Sequence, residues 1–158
     1  MSKAIVVYES KYGNTRHAAE TIAEGMREVP EIEVWLAEFR EVDSTAIEEF
    51  DAIIIGSPNH FGRTTRSISK FIDKIGKLNI ENKWVAVFDT HIASWEKEFE
   101  KAVKKMEKQI DEKVPGMKLA APGLSLKVAA TKGPIVDGEL LKCREFGVKI
   151  ANRIKGQV

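Results

Sequence analysis

The sequence predicts an α/β fold in which a parallel β-sheet carries helices on both of its faces. Short, nearly continuous apolar runs at residues 4–8, 52–55 and 85–88 are typical of strands that are buried on both sides. Segments with a helical spacing of apolar residues lie between these runs, and the connections are short. Because crossovers between parallel strands are right-handed, this alternation indicates a doubly wound sheet.

The first half of the chain contains three predicted strands and two predicted long helices. Residues 4–8 form the first strand, and residues 31–36 alternate polar with apolar residues, as a strand near a sheet edge does. A short helix is expected at residues 44–50, before the third strand at 52–55. The longer helices are indicated by two apolar stripes, the second of which ends at Gly76: Ala18, Ala19, Ile22, Ala23 and Met26, then Ile68, Phe71, Ile72 and Ile75.

In the second half, the strand at residues 85–88 is followed by a helix that Ser94 is expected to cap. Residues 117–128 contain Pro122 and Gly123, so an interrupted edge strand in two pieces is predicted there. The last two helices are indicated by the stripes Trp95, Phe99, Ala102, Val103, Met106 and Ile110, then Cys143, Phe146, Gly147, Ile150 and Ile154.

Composition restricts the class of protein. With 158 residues, 43% hydrophobic and 31% charged, the chain is expected to form a single domain over residues 1–158. A formal net charge of +1 gives no basic field, so nucleic acid is not expected as a partner. The single cysteine excludes an internal disulfide, and the absence of a long apolar stretch argues against a signal peptide and a membrane span. We therefore expect a cytoplasmic protein.

The three loops at the carboxyl ends of the first, third and fourth strands are the expected ligand site. The loop after the first strand offers backbone amides at a helix N-terminus together with hydroxyl and amide side chains, which suits a phosphate group. An ordinary strand-to-helix turn with Asn14 as N-cap is the alternative. No nucleoside triphosphate loop or dinucleotide glycine fingerprint is present. The residues of this loop are Ser10, Lys11, Tyr12, Gly13, Asn14 and Thr15.

The second and third loops combine aromatic side chains with hydrogen-bonding groups. Such a mixture suits a flat, apolar ring with polar edges. Trp95 is either a ring-stacking residue or the first core residue of the following helix. The three histidines and one cysteine have no metal-ligand spacing, so no metal site is predicted. The candidate ring-binding residues are Pro58, Asn59, His60, Phe61 and Gly62 in the second loop, and Asp89, Thr90, His91 and Trp95 in the third.

These loops resemble those of the flavodoxin family. Residues 10–15, SKYGNT, are similar to the family's [TS]-x-T-G-x-T phosphate loop, with Tyr12 in place of the central Thr. Residues 57–62 are similar to the segment that borders the flavin in related quinone reductases, and residues 131–140 resemble the end of short flavodoxin-like chains. The resemblance implies a three-layer fold, a five-stranded sheet in the order 2-1-3-4-5, and FMN as cofactor.

The resemblance also implies a function. An FMN-bound carrier would pass one or two electrons between redox partner proteins, and no catalytic side chain is expected because the flavin ring carries the chemistry. The alternative is a small FMN-dependent NAD(P)H or quinone oxidoreductase, in which Arg63 and Arg66 receive a phosphorylated nicotinamide. A phosphorylation-dependent receiver domain is disfavoured, since Ser57 occupies the position where that class needs an Asp.

Overall fold

The sheet is parallel throughout in the computed structural model, which describes residues 1–156. Residues 157–158, the last two of the predicted domain, lie outside the described residues. The predicted order is confirmed, because the strands lie in the order β2-β1-β3-β4, and two short strands, β5 and β6, both pair with β4 at the fifth position. The strands are β1 (Ser2–Tyr8), β2 (Ile32–Glu38), β3 (Ala52–Pro58), β4 (Trp84–Ile92), β5 (Lys118–Leu119) and β6 (Leu124–Val128).

Helices cover both faces of this sheet. Helices α1 and α4 pack on one face, and α2 and α3 pack on the other. Within residues 1–156, none of the helices is both long enough and apolar enough to cross a membrane. The helices are α1 (Asn14–Arg27), α2 (Arg66–Ile75), α3 (Ala102–Lys113) and α4 (Glu139–Lys155), with 3₁₀ turns at Phe39–Glu41, Ser44–Glu49 and Ala93–Trp95.

Alternate residues of each central strand enter two separate hydrophobic cores. In β1, Val6 and Tyr8 pack towards α1 and α4, whereas Ile5 and Val7 pack towards α2 and α3. Burial of one such aliphatic side chain contributes about 1.5–3 kcal/mol to stability. Because both faces are covered, the strand must be apolar at consecutive positions, which is the pattern seen in the sequence.

The predicted start of the third long helix is wrong. Residues Ala93–Trp95 form a 3₁₀ turn, and α3 begins only at Ala102. The backbone N–H of Val103 donates to Asp89 Oδ2 over 2.9 Å, so a carboxylate of β4 accepts from the first turn of α3. Trp95 and Phe99 have helical spacing in the sequence, but they pack against another aromatic residue near the protein surface.

Strand β2 forms one edge of the sheet, as the alternating pattern predicted. Ile32, Val34 and Leu36 pack on the α1 and α4 side, while Glu33 and Trp35 are exposed on the other side. The chain that leads from β2 to β3 forms only two 3₁₀ turns, so no long helix covers this end of the sheet. Apart from Arg40, every charged residue from 28 to 49 is acidic.

Helices α1 and α4 approach each other at two glycines. A Cβ atom on Gly147 would clash with the carbonyl oxygen of Ile22, and one on Gly25 would clash with the carbonyl oxygen of Arg144. Both clashes involve backbone atoms, which cannot rotate out of the way as a flexible side chain can. The close contact between these helices therefore requires glycine, which has no Cβ atom, at both positions.

We expect Gly147→Ala to lower the free energy of unfolding by about 1–3 kcal/mol, because the added methyl group forces α1 and α4 apart. Urea denaturation measures this change. Gly156→Ala is the matched control, since its Cβ would lie 3.2 Å from the nearest atom and its φ of −70° suits any residue, so a change under about 0.5 kcal/mol is expected. Equal losses in the two variants would contradict this account.

Candidate functional site

A cavity lies at the carboxyl edge of the sheet, where the loops after β1, β3 and β4 meet. Val128 and Thr131, which end and follow β6, complete its lining together with Ile92. Ten of the predicted site residues line this one cavity: Ser10, Lys11, Tyr12, Asn14, Thr15, Pro58, Asn59, His60, Thr90 and His91. The sequence therefore identified most of the cavity, although three apolar or small polar wall residues were missed.

The loop after β1 presents backbone amides to this cavity. Gly13, not Asn14, is the N-cap of α1, and its φ of +95° is a conformation that glycine adopts readily. The first intrahelical hydrogen bond runs from His17 N to Gly13 O over 2.9 Å, so the amides of Asn14, Thr15 and Arg16 have no partner inside the helix. No side chain caps the helix. This N-terminus is suited to an anion.

Two lysine side chains lie over the aromatic ring of Tyr12 at the mouth of the cavity. The Nζ atom of Lys11 is 5.4 Å from the ring centroid, and that of Lys132 is 6.0 Å from it. Tyr12 exposes 45% of its surface, so both ammonium groups are close to solvent. Their positive charge adds to that of the helix N-terminus and favours a negatively charged ligand.

A buried pair of hydroxyl groups joins the first loop to the third. Thr15 Oγ1 and Thr90 Oγ1 are 2.9 Å apart, and both residues are almost fully buried. Because each hydroxyl can donate one hydrogen bond and accept two, the pair retains capacity for a further polar group. The contact holds the start of α1 against the end of β4.

The loop after β3 contains a tight turn. The backbones of His60 and Arg63 exchange hydrogen bonds of 2.9 and 3.0 Å, and the residues between them, Phe61 and Gly62, have φ angles of +53° and +87°. Positive φ at both central positions defines a type I′ turn. Asn59 supports the turn, since its Oδ1 accepts from the Gly62 amide over 2.6 Å. A bulky residue rarely adopts positive φ, so the turn holds Phe61 in a strained conformation.

Phe61 belongs to an aromatic cluster with Trp95 and Phe99. The Phe61 and Trp95 rings are stacked, with centroids 5.7 Å apart and an interplanar angle of 20°, and Phe99 meets both rings edge-on. Phe61 exposes 66% of its surface and Trp95 exposes 38%. Trp95 is thus not a core residue of α3. The two rings line a smaller cavity, which shares Asn59, His91 and Ile92 with the first cavity.

Asp89 and His91, the other two predicted residues of β4, are buried as Thr90 is. Asp89 is fully buried and lies beneath the cavity rather than in its lining, where it accepts from Val103 N and from the hydroxyl of Ser125. His91 lines both cavities and exposes only 6% of its surface. Asp89 therefore fixes the position of its neighbours, while His91 faces the site.

Four residues that contribute to the site had little or no signal in the sequence. Thr131 belongs to the TKGP segment that resembles the flavodoxin family, and this segment packs on Asn14 through Gly133. Ile92 and Val128 are indistinguishable from core residues by sequence. Ser125 gave no signal at all, because its partners lie on another strand, β4.

A family model for the flavodoxin domain matches residues 5–129. The chain belongs to the flavodoxin family. Flavodoxins bind a flavin and transfer electrons to redox partners. The sheet order, the helix layers and the position of the cavity all agree with this assignment.

The chain is also similar to individual proteins in sequence and in structure. A flavodoxin from Clostridium saccharobutylicum is 33% identical over 88 residues, which cover 56% of this chain and 55% of the relative. An NAD(P)H dehydrogenase (quinone) from Chromohalobacter salexigens is 30% identical over 106 residues, covering 54% and 53%. The chain spans about half the length of the curated relatives it matches. A solved flavodoxin from the domain Archaea is 28% identical with a TM-score of 0.78, covering 97% of this chain and 99% of that one.

The single cysteine of the chain lies in the core, away from the site. Burial raises the pKa of Cys143 to about 12, and the nearby Glu139 carboxylate adds to this effect. Because the thiolate is the reactive form, a thiol with so high a pKa is almost entirely in its unreactive form at pH 8. Among residues 1–156, no group of three or more His, Cys, Asp or Glu side chains is arranged to hold a metal ion.

We therefore expect native Cys143 to react with a thiol reagent at pH 8 only as fast as the protein unfolds, and to react at once in urea. Absorbance of the released chromophore measures both rates. Leu141→Cys provides the matched control, because position 141 on the same helix is 60% exposed and an added thiol there should react immediately. Equally rapid labelling of Cys143 in the native protein would contradict its burial.

Proposed function

We propose that this flavodoxin-family protein binds FMN and carries one or two electrons at a time between redox partner proteins. The observation that carries the proposal is the uncapped N-terminus of α1, which opens into a cavity at the carboxyl edge of the sheet. A phosphate group is the part of FMN that suits such a terminus. A cytoplasmic location is a prediction from the sequence.

The residues of the cavity fit the phosphate of FMN. The amides of Asn14, Thr15 and Arg16 have no intrahelical partners and supply donors for phosphate oxygens. The hydroxyl of Thr15 adds another donor, and Lys11 offers positive charge beside the loop. These groups support binding of a dianion, so we expect FMN to bind more tightly than a flavin without phosphate.

The second and third loops fit the flavin ring. Asn59 and Pro58 line the cavity with backbone groups and an amide, which can meet the polar edge of the ring. Phe61 and Trp95 lie beside the cavity and offer aromatic faces for stacking. The wide exposure of Phe61 places this side of the site at the protein surface, where a partner protein can approach.

When bound, FMN supplies the one- and two-electron chemistry. The residues of this chain bind and orient the cofactor and exclude water from part of it. Their hydrogen bonds and charges determine how easily negative charge accumulates in the site. No side chain of the chain is required as a nucleophile in this function.

A second candidate function is an FMN-dependent NAD(P)H or quinone oxidoreductase. Four of the similar proteins are named NAD(P)H dehydrogenase (quinone), which favours this candidate. Arg63 and Arg66 are exposed next to the second loop and are the proposed site for a phosphorylated nicotinamide. We favour the carrier because a solved flavodoxin is matched over 99% of its chain, whereas the relatives named NAD(P)H dehydrogenase (quinone) are matched over only about half of their length.

The purified protein is expected to be yellow, or to become yellow when FMN is added. The Thr15 hydroxyl should contribute to its preference for FMN over riboflavin. Thr15→Val removes one hydroxyl donor and should weaken FMN binding about tenfold, as measured by calorimetry. Riboflavin lacks the phosphate, so its affinity should change much less. Thr15→Ser keeps the hydroxyl and serves as the control. A colourless protein that gives no heat with FMN would overturn the proposed function.

Mixing the FMN-loaded protein with NADH or NADPH without oxygen distinguishes the two candidate functions. A carrier should keep its flavin absorbance over minutes, because it has no site that aligns a nicotinamide with the ring. Dithionite should bleach the same sample at once and proves that the flavin is reducible. Rapid bleaching by either nucleotide, lost in Arg63→Ala, would instead establish the oxidoreductase.

A further inference from the structure

A buried chain of polar side chains runs from β4 to the wall of the cavity. Asp89 on β4 is fully buried and accepts the hydroxyl hydrogen of Ser125 on β6. The same Ser125 oxygen lies 2.8 Å from Nδ1 of His91, which is two residues further along β4. The three side chains therefore form one hydrogen-bonded series, and only His91 reaches the cavity.

This series fixes which nitrogen of His91 carries a hydrogen. Ser125 has one hydroxyl hydrogen and donates it to the Asp89 carboxylate, so its oxygen is left to accept from His91 Nδ1. Nδ1 is therefore the protonated nitrogen, as assigned from the hydrogen-bond network. In a neutral imidazole the other nitrogen, Nε2, then has a free lone pair and accepts protons.

Nε2 of His91 is buried and has no hydrogen-bond partner among the described residues. Its nearest charged neighbour is Glu96, whose Oε1 lies 3.6 Å away. Glu96 is shared with two cations, since it lies 3.9 Å from Lys101 and 3.5 Å from Lys127. A buried basic nitrogen without a partner, in the wall of a cofactor cavity, indicates a function beyond packing.

The charges around His91 oppose one another. The carboxylates of Asp89 and Glu96 lie 3.5 and 3.6 Å from the two ring nitrogens of His91. The Lys101 and Lys127 ammonium groups also lie close to Glu96 and share its negative charge. Lys11 and His60, from the first and second loops, line the same cavity as His91. A negative charge added to the cavity would therefore act on a ring that already lies between groups of both signs.

We propose that His91 is the proton-accepting residue of the flavin site. This inference rests on the proposed binding of FMN. Bound FMN would accept two electrons from a reductant and one proton from solvent, so the site would gain one negative charge. A second solvent proton then binds to Nε2 of His91, so that no net charge accumulates in the buried site.

The pH dependence of the two-electron midpoint potential of FMN-loaded protein tests this role. Between pH 6 and 8 the wild type should take up more protons per two electrons than His91→Gln, with a difference of at most one proton. Protonation of the reduced ring itself is common to both proteins and cancels in the comparison. His17→Gln is the control, because His17 is exposed on α1, outside the cavity lining, and should behave as wild type.

A second measurement needs no variant. The ¹⁵N resonances of the His91 ring should show protonation of Nε2 at a higher pH in the reduced loaded protein than in the oxidised one. In both states Nδ1 should carry its hydrogen, and Ser125→Ala should abolish that tautomer preference. Identical titrations of His91 in the two redox states would overturn this inference and leave the proposed function standing. The same holds if the midpoint potential of loaded His91→Gln has the same pH slope as that of the wild type. A protein that never binds FMN would overturn the proposed function as well.

Discussion

All the strands run in the same direction, and the position of every functional group depends on this constraint. Their carboxyl ends lie along one edge, and helices bury both faces, so polar groups gather where the loops leave that edge. The amides of α1 point into the same space that receives the turn after β3 and the end of β4. A single cavity, with the helix amides at one end and polar and aromatic loop residues along its side, follows from this arrangement.

Strand β4 fixes the relative positions of the three loops. Thr90 contacts Thr15 at the start of α1, and the backbone of Asn59 donates to the Thr90 carbonyl over 2.8 Å. Asp89 meanwhile determines where α3 begins and, through Ser125, orients His91. Because one strand anchors all of these contacts, the loops cannot shift independently, and the site is held in shape before a cofactor arrives.

Features that depend on local sequence were predictable, and features that depend on distant contacts were not. The positions of the central strands and the two-piece edge strand follow from residues adjacent in the chain, and the strand order follows from the resemblance to the flavodoxin family. The start of α3 is set by Asp89, thirteen residues before Ala102, so helical spacing at Trp95 and Phe99 was misleading. Ser125 escaped detection for the same reason, since its role exists only through its partners on β4.

The uncovered end of the sheet at β2 affects how readily copies of the protein associate with one another. An open edge presents unpaired peptide groups, and Trp35 adds an exposed ring, two features that promote strand-to-strand association. Joining two such edges would, however, place Glu33 and the surrounding acidic residues of each molecule against those of the other. Repulsion between these charges therefore opposes pairing of two such edges, and raised salt would weaken the repulsion.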